Sequence, residues 1–146
     1  MMGTNNDSLE KNKALALSFF KAINEKNLDK FDELCGEDYV WHGEAGPTEK
    51  NEVRGRDNFK KAVAEFTEAL PDLQIIIDDI IAEGDKVALR FHEIGTHTGA
   101  DFAGIKASGK SVTWTCIGLY RIADGRLVEE WFNEDSLGIL QQLGGL

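Results

Sequence analysis

The chain has 146 residues, of which 42% are hydrophobic and 29% charged, a length and composition typical of one globular domain. Its formal net charge of −10 argues against nucleic acid and against an anionic membrane surface as partners, because both require a basic face. No apolar run approaches the roughly 20 residues that span a bilayer. We therefore expect a single domain over residues 1–146.

The N-terminal residues and the two cysteines indicate the cellular compartment in which we expect the protein. The first residues are polar and lack the apolar core of a signal peptide, and we expect residues 1–7 to be flexible. Cys35 and Cys116 are far apart and form no CxxC pair, which favours reduced thiols in a cytoplasmic protein.

The first half of the chain predicts helices. Asp7 and Glu10 have the spacing of a capping box, so a helix should begin near Asp7 and end near Asn27, with Phe20 among the residues of its apolar face. The elements expected next are a short helix with apolar residues at 28, 31 and 34, a small strand over 39–42, a loop over 43–55 that contains Pro47, and a helix over 57–70. Pro71 should stop that last helix.

The second half predicts strands. They are expected over 73–82, 87–98, 111–123 and 127–135, with tight turns at 83–85 and 123–125, a glycine-containing connection over 99–110, and a closing helix over 136–143. Because helices come first and strands last, the order indicates an α+β fold with an antiparallel sheet. Three helices cannot cover both faces of a long sheet, so they should fill its concave side and leave a pocket.

Several short segments are also similar to a known family. They are Gly55-Arg56, Leu70-Pro71-Asp72, Glu83-Gly84-Asp85, the run Gly95-Thr96-His97-Thr98-Gly99, the run from Asp124 to Trp131, Asp135, and the run Leu140-Gln141-Gln142-Leu143-Gly144. In this order the chain resembles the SnoaL-like polyketide cyclases, within the nuclear transport factor 2-like group, over about residues 8–143. The resemblance implies a cone-shaped fold with N-terminal helices on a strongly curved antiparallel sheet. It also implies a cyclase-type activity, because some members close a ring by intramolecular aldol condensation.

Strand alternation suggests a candidate acid/base site. Trp131, Asn133 and Asp135 fall on one face of an extended strand, which would place an aromatic wall, an amide and a carboxylate together. A carboxylate against tryptophan would have a raised pKa, as a general base near neutrality requires. The resemblance also points to Asp135 as the acid. The alternative is that Asp135 only caps the following helix.

Other residues are candidates for the pocket. The resemblance marks His97 as a pocket residue that donates a hydrogen bond or holds Asp135, and the alternative is a histidine that bonds the 99–110 connection. His42 is expected to line the pocket or to be structural. Phe20 is expected in the pocket wall, and Trp114 is expected in the core or in the pocket wall. Arg90 could pair with Asp135 or Glu129 in an epoxide-opening site, or form an exposed cross-strand pair.

A metal site and other cofactors are not expected. His92 and His97 are five residues apart, which places them on opposite faces of a regular strand, and the chain has no HxH or HExxH spacing.

Three functional hypotheses follow from these residues. The first is a cofactor-free enzyme, a cyclase or isomerase, that performs acid/base chemistry on a small hydrophobic carbonyl compound through Asp135 and His97. The second is a non-catalytic protein that binds a small molecule. The third is an epoxide-hydrolase-like enzyme that uses Asp135, Arg90 and a bound water.

The face of the sheet turned away from the helices predicts a homodimer. By alternation this face should carry Ile76, Ile80 and Thr115, and exposed apolar patches usually mark interfaces. Light scattering at micromolar concentration should therefore give the mass of two chains, and the mass of one chain would contradict the prediction.

Overall fold

The computed structural model describes residues 2–44 and 50–146, and for residues 2–4 the backbone alone. The helical segments are α1 (Met2–Asn24), a 3-10 turn (Leu28–Lys30), α2 (Phe31–Leu34), α3 (Arg56–Ala69) and α4 (Ser136–Leu143). The strands are β1 (Cys35–His42), β2 (Glu52–Arg54), β3 (Gln74–Glu83), β4 (Lys86–Thr96), β5 (Ser111–Ala123) and β6 (Arg126–Glu134). No helix in this part of the chain combines the length and apolar composition that crossing a bilayer requires.

The six strands form one curved, open sheet in the order β2-β1-β6-β5-β4-β3. The last four strands pair antiparallel, as expected, and the β5–β6 hairpin lies near the middle of the sheet. One pairing departs from the expected all-antiparallel sheet, because β1 runs parallel to β6. With its helices on one side of the sheet, the molecule has the predicted α+β architecture.

Several element limits differ from the sequence-based expectations. Helix α1 already begins at Met2, and Asp7 and Glu10 lie exposed on it. The expected loop over 43–55 contains β2, which pairs with β1, while Pro47 lies outside the described residues. The limits of β5 and α4 agree with the expectation.

The core lies between the helices and the inner face of the sheet. The apolar face of α1 contributes Phe19 and Phe20, and Phe31 and Phe59 stack on Phe19. Burying rings of this size contributes roughly 1.5–3 kcal/mol each from the removal of apolar surface. The aromatic layer therefore fixes the helices over the sheet.

The opposite face of the sheet carries large apolar side chains in contact with solvent. Ile117 is 58% exposed, and Ile76, Ile94 and Trp131 are also exposed. Thr115 is exposed as expected, but Ile80 is half-buried, because the register of β3 shifts between Ile77 and Asp79. This apolar face fits the predicted homodimer, which stays a prediction.

The connection between β4 and β5 is joined to the end of α3. The backbone N–H of Gly99 donates to the carbonyl of Ala69 over 3.2 Å, and that of Ala100 donates to the carbonyl of Glu68 over 3.0 Å. The approach is so close that a β-carbon at Gly99 would overlap the Glu68 carbonyl oxygen. This contact holds Phe102, further along the connection, edge-on against Phe66 of α3.

Gly99→Ala should therefore destabilise the protein. The added methyl group would displace the connection from α3, and overpacking of this kind costs roughly 1–3 kcal/mol of unfolding free energy. Urea denaturation of this variant should be compared with that of Ser108→Ala, an exposed change in the same connection. Equal midpoints for Gly99→Ala and the wild-type protein would contradict the packing described here.

Candidate functional site

A cavity of about 280 Å³ lies between α1, α3 and the inner face of the sheet. This volume is near the lower end for small-molecule sites. Its walls are mainly aromatic and come from both helices, from the sheet and from the β4–β5 connection. The rings are those of Phe19, Phe20, Trp41, Phe59, Phe66, Phe91, Phe102, Tyr120 and Phe132.

Three carboxylates project into this apolar cavity. Glu93 comes from β4, and Glu130 and Glu134 come from β6. Glu93 is 5% exposed and Glu130 2% exposed. Among the described residues, no lysine, arginine or histidine lines the cavity. In the described part of the chain, the ionisable groups of the lining are therefore these carboxylates and the Tyr120 phenol.

A bulge in β6 sets which residues of that strand face the cavity. Arg121 of β5 pairs with Glu129, but the next residue, Ile122, pairs with Leu127. Val128 is thus an extra residue in β6, and an inserted residue moves all later side chains to the opposite face. Leu127 is buried, and after the bulge the inward positions are those of Glu130, Phe132 and Glu134.

Two tyrosines hold Glu130 at the base of the cavity. The Tyr39 hydroxyl donates to Oε1 of Glu130 over 2.6 Å. Burial raises the pKa of Glu130 to about 7, and the hydrogen bonds from Tyr39 and Tyr120 limit the rise. Burial and the nearby Glu130 also raise the pKa of both phenols. Glu130 is therefore a carboxyl group whose protonation changes near neutrality inside the core.

The buried Glu93 and the half-buried Glu134 form a second acidic group, together with Cys116. Their ligand atoms and the Cys116 sulfur all lie within 4.8 Å of one another. The Cys116 thiol donates to Glu93 over 3.3 Å, and the Trp114 indole N–H donates to Glu134 over 3.1 Å. Burial raises the pKa of each carboxyl to about 7, and the charge of Glu134 adds to the rise at Glu93. Two such neighbours favour a state in which one carboxyl is ionised and the other protonated.

The same three groups are also the best candidate for metal ligands in the described residues. A thiolate and two carboxylates could hold a divalent cation, but the set includes no imidazole. Burial raises the pKa of the Cys116 thiol well above its ordinary value, which disfavours the thiolate that a metal requires. The cluster is better suited to proton transfer.

Trp131, Asn133 and Asp135 were expected in the pocket but do not line this cavity, and Asn133 and Asp135 instead line a more open hollow that includes Arg90. The three share a face, as alternation predicts, but the bulge turns that face outward and leaves all three exposed. Oδ1 of Asp135 accepts from the backbone N–H of Gly138 over 2.9 Å, which makes it the N-cap of α4. Asp135 therefore caps α4, which is the alternative to a catalytic role that the sequence analysis gave.

The predicted histidines lie outside the cavity lining. His97 is fully buried, and its Nε2 is 2.8 Å from the carbonyl oxygen of Ala100 in the β4–β5 connection, which is the structural alternative expected for it. His42 stacks on Trp131, and its Nε2 is 2.7 Å from Oε2 of Glu129. His92 is on the outer face, 2.8 Å from Asp78, so the two histidines of this region do lie on opposite faces.

The remaining candidates divide between the two faces. Phe20 lines the cavity, and Trp114 lies buried behind it, where it orients Glu134. Arg90 is exposed, and its nearest acidic partner is Asp78 at 4.0 Å, not Asp135 or Glu129. The arginine that epoxide opening would need is therefore absent from the described cavity wall.

One feature of the sequence could have identified Glu93. Val87, Leu89 and Phe91 alternate on the inward face of β4, and Glu93 is the next residue of that series. A charged residue that continues a buried apolar series is unusual unless it has a role. Glu130 and Glu134 could not be found in this way, because simple alternation from Leu127 assigns them to the outer face.

Comparisons with known proteins agree with this fold. The family model described as SnoaL-like polyketide cyclase matches residues 14–143. AclR from Streptomyces galilaeus, a proposed hydroxylase, is 32% identical with a TM-score of 0.82 over 94% of this chain and 83% of that chain. IdmH from Streptomyces antibioticus, a proposed polyketide cyclase, is 28% identical with a TM-score of 0.77 over 91% of this chain and 98% of that chain. A search of curated proteins found no significant relative.

Glu130→Gln should reduce the pH dependence of stability. The pKa of Glu130 rises from an unfolded value near 4.5 to about 7, so the folded state binds the proton more tightly. Its contribution to stability is therefore present at low pH and is lost as pH rises between these two values. Glutamine does not ionise and can still accept from Tyr39. The loss of unfolding free energy between about pH 5 and pH 8 should shrink by about 1–3 kcal/mol.

Denaturant titration at the two pH values measures this difference. Glu83→Gln, an exposed change at the end of β3, is the matched control and should behave as wild type. An unchanged pH dependence in Glu130→Gln would contradict the buried position of this carboxyl.

Proposed function

Because this chain belongs to the SnoaL-like polyketide cyclase family, we propose that it is an enzyme that performs acid/base chemistry on a small, mainly apolar carbonyl compound. The observation that carries the proposal is the pair of the buried Glu93 and the half-buried Glu134, whose carboxyl groups face an aromatic cavity and have pKa values raised to about 7. Catalytic acids and bases work best when their pKa lies near the working pH.

Each carboxyl of the pair has a distinct role. Glu134 is the less buried of the two and is the base, while Glu93 is more deeply buried and carries the shared proton. Deeper burial disfavours the charged form more strongly, which supports this assignment. The Trp114 indole fixes the orientation of the Glu134 carboxylate.

Intramolecular aldol closure illustrates the chemistry. Glu134 removes a proton from the carbon next to a carbonyl group, and the resulting enolate carbon attacks a second carbonyl carbon of the same molecule. The new carbon–carbon bond leaves an alkoxide, which takes the proton of Glu93. The proton on Glu134 then returns to Glu93, so the pair ends in its initial state. Isomerisation would use the same two steps of proton removal and return.

The aromatic walls support this chemistry by excluding water. Phe91, Phe102 and Phe132 surround the carboxylates, and a low-dielectric cavity strengthens the electrostatic interactions of a donor with a developing oxyanion. Such walls would bind the apolar part of the substrate through burial of its surface.

Glu134→Gln should abolish most proton abstraction. The probe is 2-tetralone, an apolar ketone whose exchange of α-protons for deuterium is followed by ¹H NMR in D₂O. The wild-type protein should accelerate this exchange, with a rate that rises as pH increases through about 7, where Glu134 ionises. Glu134→Gln should lower the rate by roughly 10²–10⁴-fold, and Glu93→Gln by less, because an amide can still donate a hydrogen bond.

Asp135→Asn is the matched control, because it removes one negative charge from β6–α4 and can still cap the helix. It should exchange 2-tetralone as fast as wild type. Loss of exchange in Asp135→Asn with normal exchange in Glu134→Gln would instead support Asp135 as the base. If the wild-type protein binds 2-tetralone without accelerating exchange, the non-catalytic binding hypothesis is favoured.

A further inference from the structure

The charged side chains that line the cavity are all acidic. Glu93, Glu130 and Glu134 are its ionisable carboxyl groups, and no cationic side chain of the described residues lines it. An apolar cavity amplifies the interaction of such groups with a ligand charge, because few water molecules screen it. The cavity should therefore discriminate strongly between ligands of the same shape and different charge.

Glu93 and Glu134 also have acceptor capacity that the protein does not fill. A carboxylate can accept about four hydrogen bonds. Among the described residues, Glu93 accepts from the Cys116 thiol, a weak donor, and Glu134 accepts from the Trp114 indole through its side chain. Glu130 differs in the strength of its donor, because the Tyr39 hydroxyl donates to it over 2.6 Å. Both carboxyl groups of the Glu93–Glu134 pair therefore keep acceptor capacity for a ligand.

The aromatic side chains that line the cavity also favour a cationic ligand. The cavity presents the rings of Phe91, Phe102 and Phe132, and aromatic faces attract cations, more strongly when the cation is desolvated. Among the described residues that line the cavity, a carboxylate ligand would find no positively charged side chain with which to pair. It would also repel Glu93 and Glu134.

We propose that the cavity is cation-selective, and that a protonated aromatic amine binds with its ammonium group between Glu93 and Glu134 in preference to neutral or anionic analogues. The proposal deepens the proposed function, since it concerns the same pair, but amine binding itself does not require turnover. It implies that the end of the natural substrate that reaches the pair carries no free carboxylate. It also implies that aromatic amines compete with the carbonyl substrate.

Three probes with one ring system test the proposal. They are 2-aminotetralin, 2-methyltetralin and tetralin-2-carboxylate, titrated into the protein by calorimetry at about pH 8, where the amine is protonated and the acid ionised. The amine should bind about tenfold more tightly than the methyl compound, and the carboxylate at least about tenfold more weakly than the methyl compound. Glu93→Gln and Glu134→Gln should each weaken amine binding by about tenfold and leave binding of the methyl compound unchanged.

Glu83→Gln, which removes one negative charge far from the cavity, is the control and should not change any of the three affinities. Equal affinities for amine and carboxylate would overturn the proposal, as would amine binding that neither glutamine variant weakens. Absence of binding by all three probes at about 1 mM would also overturn it, because the cavity would then not accept this class of ligand.

The exchange experiment on 2-tetralone separates this proposal from the proposed function. Amine selectivity without accelerated exchange would leave cation binding intact and remove the catalytic role. Accelerated exchange without amine selectivity would leave the catalytic role intact and remove the proposal of cation selectivity.

Discussion

The extra residue at Val128 in β6 is the feature on which the site depends. It changes the side-chain alternation of the strand that runs through the middle of the sheet. Without it, Glu129 and Trp131 would face the helices and Glu130 and Glu134 would face solvent. With it, two carboxylates enter the aromatic cavity and join Glu93 from β4. Bulges of this kind are frequent next to functional sites because they redirect side chains.

Three carboxyl groups in an apolar cavity are costly for the fold. Burial disfavours their ionised forms, and the cavity offers no cation in the described residues to offset that cost. Glu130 accepts a hydrogen bond from the Tyr39 phenol, whereas the Cys116 thiol that donates to Glu93 is a weak donor. The aromatic layer around Phe19 supplies the compensating stability. An arrangement that lowers stability at one place and is supported elsewhere is typical of a functional site.

Much of the fold could be predicted from the sequence, because its elements follow local rules. The limits of β5 and α4 agree with the pattern, and the order of helices before strands gives the architecture. The family resemblance is confirmed by the match over residues 14–143. The parallel pairing of β1 with β6 was not predicted, because it joins strands far apart in the chain and no local pattern specifies it.

The site was harder to predict because it depends on register. Asp135, Asn133 and Trp131 were correctly placed on one face, but the sequence does not show which face, since the bulge is produced by pairing with β5. Phe20 was correctly placed in the cavity wall, because the periodicity of a helix needs no partner. Glu93 could have been predicted, because it continues the alternating buried positions of β4. It was missed because a charged residue is not expected at a buried position.

The central claim is that the carboxyl groups of Glu93, Glu130 and Glu134 lie in the apolar cavity and change protonation near neutrality. The most direct measurement is a ¹³C NMR titration of the side-chain carboxyl carbons of glutamate, with each of the three resonances assigned from the corresponding glutamine variant. We expect these three groups to titrate at about pH 7, well above the ordinary glutamate value. Titration of all three near the ordinary glutamate value, about 4.3, would show that they face solvent and would contradict the site described here.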